Sequence, residues 1–222
     1  MTSQSPNLVA DNDPTRIRDA ACVVVVDDTS CVPLLLMGRR RADQIFLPGK
    51  WVFPGGRVDP NDTISTPRAG DDIDGFTSSL PGYLKPFARA AVRELQEEAG
   101  LSLCTQMTNS DEPSSQFLPL ARAITPPGRV RRYDTWFFLT QRSAFRAELG
   151  STDDELLDLG WFTISDARHL DIPNITRLVL DDATAWIASG ARVMPRQIPF
   201  YYQDGQGFQR IMMACDQSAL PP

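Results

Sequence analysis

Three carboxylates within five residues, Glu94, Glu97 and Glu98, carry the strongest chemical signal in this chain. They stand at i, i+3 and i+4, so on a helix they share one face. No lysine or arginine follows four residues after any of them, and the face reads as an unpaired acidic cluster. Like charges at that spacing cost a helix roughly 0.2–0.5 kcal/mol per pair. That is odd for scaffolding. It is sensible for a ligand set, because Mg²⁺ is held by carboxylate oxygens together with substrate phosphates.

The elements that would position this cluster can be read around it. A helix is expected over 86–99. Pro86 suits its first turn, Gly100 suits the position just past its end, and Ala88, Ala91, Val92, Leu95 and Ala99 form an apolar stripe. Apolar, β-branched or aromatic runs at 20–26, 33–37, 51–53, 117–124, 133–140 and 156–164 read as strands. Pro54-Gly55-Gly56 reads as a stop after the third of them. Ser165 is expected to cap a short helix, and Thr176 to open a longer one reaching about residue 188. Residues 196–214 look extended around Asp204-Gly205. Residues 57–84 hold few apolar anchors and are expected to form a long irregular segment that closes over a substrate. Strands and helices mix without strict alternation, which argues an α+β fold. The expected organisation is a disordered polar arm over 1–18, one domain over 19–214 and a tail over 215–222.

Composition narrows the partners. A net charge of −6 disfavours nucleic acid and anionic membrane surfaces, so an anionic substrate needs local cations. Cys22, Cys31, Cys104 and Cys215 are scattered without a CxxC pair and read as reduced thiols of a cytoplasmic protein. No signal peptide or membrane span is expected. The single histidine, His169, reads as a structural or surface residue.

The segments FPGG (53–56) and RELQEEAGL (93–101) resemble the signature of the Nudix hydrolases, G-x5-E-x7-R-E-U-x-E-E-x-G-U with U aliphatic. Arg93, Glu94, Leu95, Glu97, Glu98, Gly100 and Leu101 match its second half throughout. The first half departs from it. Gly56 to Arg93 spans 37 positions, about 23 more than the pattern allows. The early glutamate of the pattern falls on Lys85 counted back from Arg93, and on Asp62 counted forward from Gly56. In the family that glutamate supports the loop. The interrupted box, with LPGKWVFPGGRVDPND (47–62) and ARAITPPGRVRRYDTWFF (121–138), resembles a branch that includes a peroxisomal coenzyme A diphosphatase.

The resemblance implies an α/β/α sandwich with a mixed sheet. It also implies Mg²⁺- or Mn²⁺-dependent hydrolysis of a diphosphate joined to another moiety X, and a small-molecule phosphoanhydride substrate. Coenzyme A or an acyl derivative is the first expectation for X, followed by nucleotide sugars, dinucleotides and modified nucleoside triphosphates. Glu94, Glu97 and Glu98 become metal ligands, completed by the Gly55 carbonyl, and Arg93 orients a glutamate. Glu155, then Asp154, is the expected base or extra ligand, with Glu97 as the alternative base. Glu97→Gln and Glu98→Gln are each expected to abolish turnover. Arg129, Arg131 and Arg132, and also Arg39 to Arg41, are candidates for gripping substrate phosphates, because guanidinium groups bind phosphates bidentately. The competing view of the first cluster is a solvated loop, or Asp134 paired with one of its arginines. Trp51, Phe53, Tyr133 and Trp136 read first as core residues. Tyr201 and Tyr202 are left open between a homodimer contact and the substrate mouth. The alternative function is a non-catalytic Nudix module that senses a nucleotide metabolite.

Overall fold

The computed structural model describes residues 13, 15–64, 73–104, 117–147, 155–191 and 193–215. The expected arm and the tail beyond residue 215 lie outside these residues, apart from the stretch leading into the first strand.

The apolar run near the N-terminus forms β1 (Ile17–Asp27), the spine of a nine-stranded sheet. Successive side chains of a strand face opposite ways. Ala21, Val23 and Val25 therefore enter one core and Val24 and Val26 the other, and all five are buried. A strand buried on both faces reads as a continuous apolar run. β1 runs parallel to β7 (Arg132–Gln141), which pairs antiparallel with β6 (Leu118–Ile124). Beyond β6 lies the C-terminal hairpin of β10 (Gln197–Asp204) and β11 (Gly207–Ala214). On the other side, β1 meets β2 (Leu34–Arg40) at only two registered positions, Val26↔Leu35 and Asp27↔Leu34. The strands then part. β2 turns to β3 (Trp51–Val52) and β9 (Leu156–Thr163), while β4 (Gly55–Arg57) takes the vacated edge of β1.

Helix α2 (Lys85–Ala99) covers one face of the sheet. Its Ala88, Ala91, Val92 and Leu95 pack against Val23, Trp136 and Phe138. Gly100 ends it in the left-handed conformation, φ 62°, as expected of a glycine at that position. Helices α3 (Ile164–His169) and α4 (Asn174–Ser189) cover the other face through Ala167, Val179, Leu180 and Ala183. The fold is α+β, an α/β/α sandwich on a mixed sheet. Among the described residues no helix is long and apolar enough to cross a membrane.

Several local expectations shift. Thr163, not Ser165, caps α3, its hydroxyl accepting the Asp166 N–H at 3.0 Å. Helix α4 opens at Asn174 behind Pro173, and Thr176 is buried inside it. The glycines read as a stop instead begin β4. Two three-residue strands, β5 (Leu101–Leu103) and β8 (Phe145–Ala147), pair in a separate small sheet.

Of the segment expected to close over substrate, residues 57–64 and 73–84 are described, and both are anchored. The first carries Asp62 under α2. The second, with the short α1 (Ile73–Phe76), buries Phe76, Leu80 and Leu84 in the α2-side core, and Phe76 packs on Phe117 and Phe145. Residues 65–72 lie outside the described ones.

Candidate active site

The gap between β1 and β2 is where the two halves of the sequence signature meet. Gly55 pairs with Cys22 on β1, and its N–H donates to Glu98 Oε2 at 2.9 Å. Glu98 is only 2% exposed. Glu94, one turn earlier, lies against Gly56 so closely that a Cβ there would collide with its carboxylate. The glycines are thus required by close approach, Gly55 also by its φ of 150°. Burial pushes Glu98 well above the ordinary carboxylate range, with Glu94 and Glu155 adding to the shift and the Gly55 N–H and Arg40 opposing it. Burial likewise pushes Glu94 up to about 7, Arg93 opposing and Glu97 and Glu155 adding. The Cys22 thiol beside them is pushed up to about 12, by burial first and then by Glu98.

The acidic face is not unpaired. Arg93, four residues before Glu97, donates through Nη1 to Glu94 Oε1 and Glu97 Oε2, both at 2.9 Å. Its Nη2 donates to the Arg57 carbonyl at 2.9 Å and to Asp62 Oδ2 at 3.1 Å. Burial works against this guanidinium's charge, but Asp62, Glu94 and Glu97 more than offset it and its pKa is raised. Arg93 therefore orients more than one carboxylate.

Asp62 takes the loop-supporting place that counting forward from Gly56 assigns to it. It is 6% exposed, accepts the Asp59 N–H at 2.8 Å and ties the inserted segment to Arg93. The signal lay in the sequence as Asp59-x-x-Asp62, a reciprocal cap that begins three residues after Gly56. Asp62→Ala is expected to destabilise the protein by about 2–3 kcal/mol, because it leaves a largely buried Arg93 short of its strongest anchor. Asp62→Glu should recover part of the loss. Urea unfolding of both variants checks this, and an unchanged midpoint for Asp62→Ala would contradict it.

Glu155, at the start of β9, accepts from Arg40 Nη2 at 2.8 Å, and its charge reaches both Glu94 and Glu98. Asp154 lies outside the described residues. Among the described residues no three His, Cys, Asp or Glu side chains converge closely enough to hold a metal ion by themselves. Arg93 draws Glu94 and Glu97 to itself, and Glu98 turns to the Gly55 N–H. The donor chemistry nevertheless suits a hard divalent cation. Two largely desolvated carboxylates side by side, both pushed up by burial and Glu98 further by Glu94, form a site that is costly to keep charged without a cation.

The arginines expected to grip phosphate are dispersed, and Arg40 is the one that reaches Glu155. Arg132 sits opposite Ile17, five positions along β1 from Cys22, or ~16 Å by strand rise. It donates to the Thr125 carbonyl at 3.0 Å, while Arg129 is exposed and Arg131 half-buried. Asp134 pairs with none of them. Its partner is Arg122 at 2.9 and 2.6 Å, a buried bidentate pair whose guanidinium lies over Trp136 and Phe200. Arg39 pairs with Asp158 at the surface. Trp136 and Phe53 are core residues; Tyr133 is half-buried and meets the ring of Phe46 edge-on at 4.9 Å. Tyr201 is buried, donating to Asp182 at 2.6 Å, and Tyr202 stacks on Phe200 inside the fold. His169 is exposed, its Nδ1 2.8 Å from the Ser165 carbonyl oxygen. None of the four cysteines is in a disulfide.

The raised Glu94 pKa sets a pH dependence. A carboxyl at about 7 in the folded protein and 4.5 otherwise binds its proton more tightly when folded. Its contribution to stability is complete below about pH 4.5 and is lost as pH rises through about 7. Without divalent cation, Tm should fall across that window, and Glu94→Gln should flatten the fall. Mg²⁺ should raise Tm at pH 7.5 and hardly at pH 5. A wild-type profile as flat as that of Glu94→Gln would contradict this.

No family model and no curated protein matches the chain. Solved structures do. A Nudix hydrolase from Alicyclobacillus acidocaldarius is 25% identical at a TM-score of 0.55, covering 80% of this chain and 97% of its own. A MutT Nudix hydrolase from Burkholderia pseudomallei is 21% identical at 0.46, with 75% and 98% covered. One from Nitrosomonas europaea is 17% identical at 0.48, with 77% and 90% covered. The first of these carries the comparison, and it agrees with the mixed sheet and its flanking helices. The chain has the fold of the Nudix hydrolases.

Proposed function

We propose that the protein is a divalent-metal-dependent hydrolase of diphosphate linkages in nucleoside diphosphate-X compounds. One observation carries the reading: Glu98, buried, and Glu94, 14% exposed, lie together against a glycine turn that leaves no room for side chains. A scaffold gains nothing from desolvating two carboxylates. A hydrolase gains a hard-oxygen site of fixed position. Glu94, Glu98 and the Gly55 carbonyl would hold Mg²⁺ or Mn²⁺, with Glu97 joining on release from Arg93. When bound, the cation would supply charge neutralisation for the diphosphate oxygens. Glu155 receives a proton from the attacking water as the new P–O bond forms. The bridging P–O bond breaks, and the leaving phosphate carries off its electron pair. Arg93 keeps Glu94 and Glu97 oriented throughout.

For X we favour coenzyme A or an acyl derivative. Arg132 stands opposite Ile17, away from the Cys22 end of β1, and Arg129 and Arg131 next to it suit charge at the far end of an elongated substrate. Ile45 and Val130, 59% and 70% exposed, sit in the two loops that Phe46 and Tyr133 join, and offer apolar surface to a long arm. The non-catalytic sensor is the second reading, favoured by the lack of three converging acidic side chains among the described residues. The test is product release from a panel that includes coenzyme A, acyl-coenzyme A, nucleotide sugars and dinucleotides, with Mg²⁺ and then Mn²⁺. Glu98-dependent cleavage supports the hydrolase. Silence across the panel, with a ligand still raising Tm, supports the sensor.

A further inference from the structure

We propose that Arg40 is a positioning residue that clamps Glu155 in place and ties it to the loop 41–49. This rests on the reading above, in which Glu155 receives the water proton. Arg40 is the last residue of β2, and its backbone pairs with Leu156, next to Glu155. Its side chain is 13% exposed and its bonds run both ways. Nη2 donates to Glu155 Oε1 at 2.8 Å and to Gln44 Oε1 at 2.6 Å, while Nε donates to the Phe46 carbonyl at 3.0 Å.

The neighbouring arginines set the contrast. Arg39–Asp158 and Arg41–Asp43 are each about half exposed, and such pairs contribute little. Arg40, at 13%, is much the most buried of the three. A guanidinium is a planar fork, so grasping the loop on one edge fixes the direction in which it presents a donor to the carboxylate. A lysine is a point charge and cannot do both. The loop itself is over-determined. Leu47, directly after the grasped carbonyl, stands at φ 53°, a conformation non-glycine residues adopt only when their surroundings impose it. Phe46 meets Tyr133 with its ring. Arg40 thus joins the loop 41–49 to the group proposed to meet the attacking water.

Two measurements on the full chain test this. In steady-state kinetics, Arg40→Ala should lower kcat by roughly 10–100-fold with a smaller change in KM, and Arg40→Lys should recover only part of the loss. In a Glu155→Gln background the same Arg40→Ala change should cost nothing further, because its effect passes through Glu155. Equal losses in both backgrounds would overturn the assignment. Independently of turnover, amide hydrogen exchange at residues 42–47 and 155–157 should quicken in Arg40→Ala and less so in Arg40→Lys. Unchanged exchange would overturn the clamp. A wild-type protein that cleaves nothing on the panel would refute the hydrolase reading, while the exchange data would still decide the clamp.

Discussion

Glu98→Gln is expected to lower kcat by about a thousandfold or more while leaving the metal-free protein at least as stable as wild type. The two halves come from one fact. Glu98 is 2% exposed, and burial raises its pKa well above the ordinary range. A neutral amide reproduces the protonated acid in shape and still accepts the Gly55 N–H. It removes a carboxylate that the fold would rather not charge, so Tm at pH 8 without divalent cation should match or exceed wild type, by ~2–4 °C for each kcal/mol gained. The same swap removes a hard anionic donor from the proposed cation site. Losing a group that stabilises developing charge costs at least 10²–10³ in rate, on the order of 3–4 kcal/mol. Calorimetry beside steady-state kinetics reads both halves. Near-native kcat would sink the site assignment. Glu97→Gln was expected from sequence to be equally severe, but Glu97 is 39% exposed and held by Arg93. The structure thus makes Glu98 the sharper test.

Gly55→Ala is expected to destabilise the protein by more than about 3 kcal/mol and to remove activity with it. A Cβ at Gly55 would stand 2.6 Å from Cys22 Cα and 2.8 Å from Cys22 Sγ, and the first of these is backbone that cannot move aside. The residue also sits at φ 150°. β4 would have to leave β1, taking the N–H that holds Glu98. Gly49→Ala is the control. Its φ of 70° is also positive, but a Cβ there meets nothing within 4 Å, so the cost should stay near 1 kcal/mol. Urea unfolding of the two variants measures the difference, and equal losses would show that close approach at Gly55 is not what matters.

The helix and its glutamates were legible because they are local. Periodicity, Pro86 and Gly100 fix α2 almost to the residue, and the three carboxylates follow from spacing alone. The strands of β1, β6, β7 and β9 were legible because burial on both faces, or on one, writes itself as apolar runs. Pairing is where sequence reading ran out. Asp134 was weighed against the arginines beside it in the chain, but its partner Arg122 lies across a strand pair. β4 was hidden because a Pro-Gly-Gly run punctuates far more often than it pairs. β5 and β8, three residues each, carry no period to detect. Arg40 was one of three adjacent arginines, and only burial distinguishes it. Asp62 surfaced as an arithmetical alternative in the interrupted box, and its role became clear only when the insertion proved to pass directly beneath Arg93.

The parallel pairing of β1 with β7 has a consequence for how the chain is made. Every residue of β1 that pairs with β7 finds its partner 115 positions later. At 5–20 residues per second, a ribosome takes roughly 6–23 s to supply it. During that interval Gly55 and the glutamate helix already exist, so one edge of β1 can be filled. The other edge presents Val23-Val24-Val25-Val26, β-branched and uncharged, with unsatisfied backbone groups. The nascent chain therefore acquires its proposed cation-holding residues before it acquires the strand that protects its spine.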